Sequence, residues 1–191
     1  MEIPPIIPAP PMPPLLFATT NMDKVREVAL LLGPGWPLRT LRDLPPIPEP
    51  EETGVTFMEN AILKARAYAT ASGAMAVAED SGLVIDALGG APGVQSARYP
   101  GATYPEKFEH LYRALRAHPR PWTARYVCAV AVAAPDVLYT TEGVCEGEIA
   151  LEPRGTHGFG YDPIFYCPEY GRTFGEVADA EKLAVAHRGR A

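Results

Sequence analysis

The chain has 191 residues, of which 47% are hydrophobic and 21% are charged, and its formal net charge is −6 at pH 7. A chain of this length can bury a core of its own, and the apolar fraction excludes a wholly disordered protein. The negative charge excludes a broad attraction to nucleic acid or anionic lipid, and no run of about 18 apolar residues is present that could span a membrane. We therefore expect neither a nucleic-acid partner nor a membrane partner.

Residues 1–14 differ from the rest of the chain because seven of them are proline. This density of proline forbids a helix, and no Lys or Arg precedes Lys24, so a secretory signal is not indicated. We predict a proline-rich mobile leader over 1–14 and a single domain over 15–191. The chain has three cysteines and no CxxC pair, which favours reduced thiols and a cytoplasmic location.

Hydrophobic periodicity predicts an α/β fold with a substantial antiparallel part. The clearest helix begins after Thr56, whose hydroxyl forms a capping box with the Glu59 carboxylate, and it ends near Ser72 before Gly73. An earlier helix has an apolar stripe, at positions 25, 28, 29 and 32. In chain order, we predict a strand at 15–19, a helix that ends before 33, strands at 36–41 and 75–78, extended chain at 83–85, a helix at 105–117, strands at 123–133 and 137–149, and a last helix near 178–186.

The segment Thr19–Lys24 joins the first strand to the first helix. Free amides and the helix dipole at such an N-terminus favour an anion, and Lys24 adds a positive charge. Asn and Asp are also common capping residues, so this segment alone is better explained as an ordinary N-cap. The chain has only four lysines against 13 arginines, and those at 24, 64 and 182 lie in segments with other candidate residues. Lysine is a compact charge that suits a phosphate oxygen.

Two groups of acidic residues are candidates for binding a metal ion. Glu49, Glu51 and Glu52 lie in one loop, and on their own they are better explained as a solvated acidic segment. Glu79 and Asp80 end an apolar strand, where two adjacent acids are costly to half-bury without a partner. Carboxylates in such a position are natural Mg²⁺ ligands, and one that binds no metal could accept a proton from water.

A glycine-rich loop and the end of the chain are candidates for binding a base. The segment Phe159–Asp162 contains two aromatic rings that could stack on a purine and a carboxylate that could accept a hydrogen bond. A turn packed against the core explains this segment equally well. His187 and Arg188 could donate hydrogen bonds to an oxygen on a base edge, and the alternative for them is a frayed C-terminus.

Five segments of the chain occur together and in order: FATTNMDKVREV, EETGVTFMENAILKARAYA, AEDSGLVIDALGGAPGVQSARYPG, HGFGYDPIF and EKLAVAHRGRA. In this combination the chain resembles the inosine/xanthosine triphosphate pyrophosphatase family, from Leu15 to Arg190. The third segment is the most specific. The resemblance implies an elongated α/β fold with a central twisted mixed β-sheet flanked by helices, in which two lobes surround a nucleotide cleft. It also implies a homodimer.

The same resemblance implies an activity and a set of residues. The family cleaves ITP, dITP and XTP between the α- and β-phosphates, requires Mg²⁺, and removes deaminated purines from the nucleotide pool. By resemblance, Asp80 is associated with the metal and accepts a proton, and Glu51 is the second metal ligand, with Glu52 as the alternative. Lys64 and Lys182 neutralise the triphosphate. Ser81 is implied to touch the substrate. The other implied substrate-binding residues are Thr19, Thr20, Asn21, Met22, Asp23 and Lys24 at the phosphates, Phe159, Gly160, Tyr161 and Asp162 at the base, and His187 and Arg188 at its 6-oxo edge.

The chain departs from the family pattern at four positions within or beside these segments. Thr20 stands where the family usually has Gly, Glu79 replaces Asp, His157 replaces Gly, and Ala186 replaces Ser. The sequence also stops at Ala191, where the family continues into a C-terminal helix. We expect these departures to affect efficiency and base selectivity more than the type of reaction.

Two alternatives remain open from the sequence. A Maf-like pyrophosphatase has the same metal chemistry but prefers pyrimidine or modified bases. A nucleotide-binding sensor would bind the same nucleotide without hydrolysing it. Hydrolysis of a panel of nucleotides distinguishes the three possibilities.

Overall fold

A computed structural model describes residues 15–191, and the predicted leader at 1–14 lies outside the described residues. These residues form a seven-stranded mixed sheet in the order β2-β1-β3-β4-β5-β6-β7. The strands are β1 (Leu15–Phe17), β2 (Leu38–Thr40), β3 (Ala76–Ile85), β4 (Thr123–Ala134), β5 (Val137–Ile149), β6 (Phe165–Cys167) and β7 (Arg172–Thr173). The α-helices are α1 (Met22–Leu32), α2 (Phe57–Ser72), α3 (Tyr104–Leu115), α4 (Asp179–Leu183) and α5 (His187–Arg190).

The pairing of the strands confirms the predicted α/β fold with a mixed sheet. Strand β1 pairs in parallel with β2 and β3, whereas β3, β4, β5, β6 and β7 pair in antiparallel fashion. The sheet is open and is flanked by helices. No helix within residues 15–191 is long and apolar enough to cross a bilayer.

Strand β3 continues through the acidic pair, so the prediction that the strand ends there was wrong. Glu79 lies opposite Val130 and Asp80 lies opposite Ala129 in the register with β4. Burying two adjacent acids is costly when they have no partners, and this cost led to the prediction of a strand end. In the structure both carboxylates have cationic partners, so they can be buried within the strand. The pair therefore lies in the middle of a central strand.

Two clusters of buried apolar side chains divide the molecule. One contains Ala129 and Ala131 of β4 together with the buried face of α2. The other contains Ala124 and Tyr126 of β4 together with α3 and the strands near the C-terminus. Since successive side chains of a strand point to opposite faces, the clusters lie on opposite faces of the sheet. The acidic pair lies on β3 between residues of the two clusters, which is the two-lobed arrangement expected from the sequence.

Helix α2 packs against the sheet through small side chains. The predicted capping box is present, since the Thr56 hydroxyl accepts a hydrogen bond from the Glu59 amide at 3.1 Å. Ala61 and Ala65 are fully buried in the same cluster as the alanines of β4. Small side chains let the helix axis approach the sheet closely, and this brings the first turns of α2 against the middle of β3.

The last residues form helix α5 rather than a frayed end. Helix α5 packs on β5 at Gly143, where an added Cβ would lie 2.1 Å from the His187 carbonyl oxygen. Arg190 donates a hydrogen bond to the Val144 carbonyl at 2.9 Å. The backbone of α5 is therefore held directly against the sheet, and a glycine is required at that point.

We expect Gly143→Ala to destabilise the fold by about 1–3 kcal/mol, because the new methyl group overlaps backbone atoms of α5. Urea denaturation measures this change. Gly35→Ala is the matched control, since no atom lies within 4 Å of a Cβ at that position. Equal stability of the two variants would contradict the close packing of α5.

Candidate active site

One cavity of about 280 Å³ lies over the middle of β3 and receives side chains from both halves of the molecule. Most of the residues selected from the sequence line it, namely Thr19, Thr20, Asn21, Lys24, Lys64, Asp80, Ser81, Phe159, Gly160, Tyr161, Asp162, Lys182, His187 and Arg188. Met22, Asp23 and Glu51 are not among the lining residues. Met22 is exposed, and Asp23 forms an ion pair with Arg26 at 2.8 Å.

The N-terminus of α1 is capped by Asn21, and it also lines the cavity. It is an ordinary N-cap, because the Asn21 Oδ1 accepts hydrogen bonds from the amides of Asp23 at 2.9 Å and Lys24 at 3.3 Å. The Thr19 hydroxyl accepts a further bond from the Asn21 amide at 3.1 Å. The segment also lines the cavity, so side chains such as Thr20 and Lys24 are available to an anion there.

Asp80 lies at one end of the cavity and is held by two donors of α2. Lys64 Nζ is 3.1 Å from Asp80 Oδ1, and Asn60 Nδ2 donates to Asp80 Oδ2 at 3.1 Å. Lys64 also forms an ion pair with Glu52 at 2.6 Å, and Glu52 pairs in turn with Arg98. Burial raises the pKa of Glu52, but Lys64 and Arg98 outweigh this effect and lower it, so Glu52 is a carboxylate at neutral pH.

The structure distinguishes the two carboxylates that the sequence left as alternatives for the second metal ligand. Glu51 is exposed and does not line the cavity, whereas Glu52 lines it and shares Lys64 with Asp80. This geometry favours Glu52 as the second metal ligand, because the loop turns the Glu51 side chain toward solvent.

The donor set at this end suits Mg²⁺. Asp80 and Glu52 supply hard oxygen donors close enough to share one cationic group. Residues 15–191 contain no cluster of three or more His, Cys, Asp or Glu side chains that could hold a metal by themselves. Mg²⁺ is commonly bound by one or two carboxylates together with water and substrate phosphates. A pair of carboxylates therefore fits Mg²⁺ better than it fits a metal ion that needs all of its ligands from the protein.

Asp162 closes the glycine-rich loop at the other end of the cavity. Its Oδ2 accepts hydrogen bonds from the Phe159 amide and from Lys182 Nζ, both at 2.8 Å, and its Oδ1 accepts one from the Tyr126 hydroxyl at 3.2 Å. Lys182 also pairs with Glu27. Burial lowers the pKa of Lys182, but Asp162 and Glu27 outweigh it and raise the pKa above its usual value. Lys182 is therefore a buried cation with two carboxylate partners.

Arg188 is the centre of a buried ionic network. Its guanidinium forms a bidentate contact with Glu79, at 2.8 and 2.9 Å, and also pairs with Glu27 and donates to the Ser81 hydroxyl at 3.2 Å. Lys24 contacts Glu79 from the other side at 3.2 Å. Burial raises the pKa of Glu79, but Lys24 and Arg188 outweigh it and hold the pKa well below its usual range. One of the five N–H groups of Arg188, on Nη1, has no partner within residues 15–191.

His187 stacks on Tyr126, with ring centroids 4.6 Å apart and an angle of 13° between the planes. Its Nδ1 is buried and has no hydrogen-bond partner among the described residues. Burial lowers the pKa of His187 well below its usual value, and the neighbouring Arg188 lowers it further. The imidazole is therefore neutral at pH 7.

Sequence reasoning missed several residues at this site. Glu27 lies beside the predicted apolar stripe of α1, yet it is the one fully buried residue of that helix, while Ala29 of the stripe is exposed. Asn60 is 2% exposed and Arg98 lines the cavity, but neither was selected. Glu79 was noted as a candidate metal ligand and as a departure from a family pattern, but not as a partner of Lys24 and Arg188. The only sequence signal for the burial of Glu27 was its position as a charged residue beside the apolar stripe of α1.

The neutral state of His187 predicts a loss of stability in acid. Below a pH of about 6.5 the unfolded chain protonates this histidine while the folded chain keeps it neutral, so the unfolded state binds more protons. The free energy of unfolding therefore falls as the pH is lowered, and we expect His187 to contribute about 2 kcal/mol of this fall between pH 7 and pH 5. Urea denaturation of His187→Gln measures the contribution, which the variant should lack.

The control is His118→Gln, which changes an exposed histidine outside the cavity. This control should retain the pH dependence of the wild type. If His187→Gln retained it as well, a neutral buried imidazole at position 187 would be ruled out.

The chain is similar in sequence and in structure to several known proteins. The dITP/XTP pyrophosphatase of Synechocystis sp. is 48% identical over 182 residues, which cover 94% of this chain and 92% of the relative. The dITP/XTP pyrophosphatase of Geobacillus kaustophilus is 46% identical over 185 residues, which cover 94% and 91%. The solved Ham1 protein of Staphylococcus aureus superposes with a TM-score of 0.84 at 36% identity, and the HAM1 protein of Coxiella burnetii with 0.81 at 42%, each match covering 94% of both chains.

The model of the Ham1 family matches residues 15–191, which is every residue that the structure describes. The sequence relatives, the superposed folds and this match agree, and they confirm the resemblance that the five segments indicated. The chain belongs to the Ham1 family.

Proposed function

We propose that this protein hydrolyses the triphosphates of deaminated purines, ITP, dITP and XTP, to the nucleoside monophosphate and pyrophosphate. The observation that carries the proposal is the single cavity that joins Asp80 and its lysine at one end to the aromatic loop and Arg188 at the other. The triphosphate of a nucleotide needs charged side chains, whereas its base needs an aromatic surface and hydrogen-bond donors. Support also comes from the relatives, which carry the name dITP/XTP pyrophosphatase.

In the proposed reaction, water attacks the α-phosphorus and the bond from this phosphorus to the α–β bridging oxygen breaks. Asp80 accepts a proton of the attacking water, and pyrophosphate leaves with the bridging oxygen. Lys64 Nζ lies 3.1 Å from one oxygen of Asp80 and so holds the carboxylate in place. Lys24 and Arg98 line the same cavity and can bind phosphate oxygens as charge develops on them.

We further propose that the reaction depends on Mg²⁺, held by Asp80 and Glu52. When bound, this ion would neutralise charge on the phosphates and polarise the phosphorus that is attacked. The support is the pair of carboxylates that share Lys64, together with the preference of Mg²⁺ for such donors.

The base end suits a purine with an oxygen at position 6. Arg188 keeps one N–H without a partner among the described residues, and such a donor would pair with a 6-oxo group but oppose the 6-amino group of adenine. Phe159 lies under the cations of Lys182 and Arg188, at 5.4 and 5.6 Å from its ring centre, and so presents a fixed aromatic surface. Adenine nucleotides would leave a buried donor unpaired and are expected to be poor substrates.

Two further properties belong to this proposal. A homodimer is expected from the family resemblance, and light scattering of the purified chain tests it. A cytoplasmic location is supported by the three cysteines, which are all buried and free, as expected in a reducing compartment. None of the relatives described above supports the Maf-like alternative.

The proposed substrates can be tested with an assay that measures the release of pyrophosphate. With Mg²⁺ present, kcat/KM for dITP and XTP should exceed that for dATP and dTTP by at least about 100-fold, because the base end discriminates by hydrogen-bond donors. Removal of the metal with EDTA should abolish release. Preferred turnover of pyrimidine triphosphates would favour the Maf-like alternative, and binding without release would favour a sensor.

The role of Asp80 predicts the behaviour of Asp80→Asn. An amide cannot accept the proton, so kcat should fall by about 10²–10⁴-fold while the circular dichroism spectrum stays unchanged. Asp136→Asn is the matched control, since Asp136 is exposed in the turn between β4 and β5. A rate for Asp80→Asn near that of the control would refute this role.

A further inference from the structure

Asn60 is a buried amide that contacts the proposed proton acceptor but not the cavity. It is 2% exposed and lies in the first turn of α2. Its Nδ2 donates to Asp80 Oδ2 at 3.1 Å, and it is not among the residues that line the cavity. A nucleotide in the cavity therefore has no direct access to Asn60. Any influence of Asn60 on the reaction passes through the residues that it holds, of which Asp80 is one.

Asn60 and Lys64 hold Asp80 from the same face of α2. They are four residues apart, so their side chains lie one above the other on the helix. Lys64 contacts Asp80 Oδ1 and Asn60 contacts Asp80 Oδ2, each at 3.1 Å. The terminal torsion of an aspartate is broad, so a single contact leaves the carboxylate plane free to rotate. Two contacts on different oxygens fix that plane.

The other half of the same amide holds the acidic loop. Asn60 Oδ1 accepts a hydrogen bond from the Gly54 amide at 2.8 Å. A Cβ at Gly54 would lie 2.7 Å from this oxygen and 2.7 Å from Glu59 Cβ, so the loop backbone lies directly against α2. Glu52 is two residues away in the same loop. One buried side chain thus connects the orientation of Asp80 with the position of the loop that carries Glu52.

We propose that Asn60 is a positioning residue, which fixes the plane of the Asp80 carboxylate for proton transfer and couples it to the Glu52 loop. This inference rests on the proposed function, because it assigns Asn60 a role in the hydrolysis step. The two hydrogen bonds of the Asn60 amide have different roles in this proposal. The donated bond sets the rate of the chemical step, and the accepted bond sets the stability of the loop.

Two variants change the bonds of Asn60 in different ways. In Asn60→Asp, which nearly keeps the shape of the side chain, a carboxylate oxygen can still accept from the Gly54 amide, but the amide donor to Asp80 is replaced by a second carboxyl group beside it. In Asn60→Leu, both bonds are lost. The matched control is Gln95→Glu, an amide-to-acid change at an exposed residue that does not line the cavity.

We expect both Asn60 variants to lower kcat for dITP by about 10–100-fold, the usual effect of removing a residue that orients a functional group. KM should stay within about threefold of the wild type. In EDTA, both variants should bind IMP with a wild-type Kd and melt below the wild-type temperature, Asn60→Leu because it loses two hydrogen bonds and Asn60→Asp because it adds a buried carboxyl group beside Asp80. The kcat of each variant is therefore expressed per folded protein. Gln95→Glu should resemble the wild type in every measurement.

A kcat for Asn60→Asp within about threefold of the wild type would overturn the inference. So would a rise in KM at constant kcat, or a loss of activity in both variants that only follows the fraction of unfolded protein. If Asn60→Leu does not fold, Asn60→Asp alone decides. If the wild type itself releases no pyrophosphate from dITP or XTP, the proposed function fails, and that outcome is distinct from failure at Asn60.

Discussion

The structure depends on the pairing of buried carboxylates with buried cations. Glu27 and Glu79 are almost fully enclosed, and an isolated charge in such a place is strongly destabilising. Each has two cationic partners, with Arg188 common to both. Truncation of one partner in such a network leaves an uncompensated charge, which typically costs about 3–5 kcal/mol. The network therefore fixes α1, β3 and the two short C-terminal helices relative to one another, although they lie far apart in sequence.

The two ends of the cavity differ in how their charges are enclosed. At the base end, Lys182 and Arg188 have side chains only 2% and 3% exposed, and their carboxylate partners are equally buried. At the phosphate end, exposure rises from Lys64 at 10% through Glu52 at 18% to Arg98 at 55%. A rigid and dry base end suits discrimination between bases, since a misplaced donor stays unpaired there. The more open end suits a hydrated metal ion and a triphosphate.

Local patterns predicted the longer helices and strands but not the short strands β6 and β7, and the charged contacts could not be read from them. The capping box at Thr56 and the glycine after Ser72 located α2 because both signals act within a few residues. Glu27 was missed because its partners lie more than 150 positions later, and periodicity weighs only apolar residues. The choice between Glu51 and Glu52 depends on a loop whose path is set by the contact of Gly54 with Asn60. Strand β3 was predicted too short because its two acids have partners that come from other elements.

A crystal structure of Asp80→Asn with dITP and Mg²⁺ bound would show whether the cavity holds the nucleotide as proposed. We expect the α-phosphate beside residue 80, the β- and γ-phosphates among Lys24, Lys64 and Arg98, and the 6-oxo group within hydrogen-bond distance of Arg188. A triphosphate lying at the aromatic loop, or outside this cavity, would contradict it.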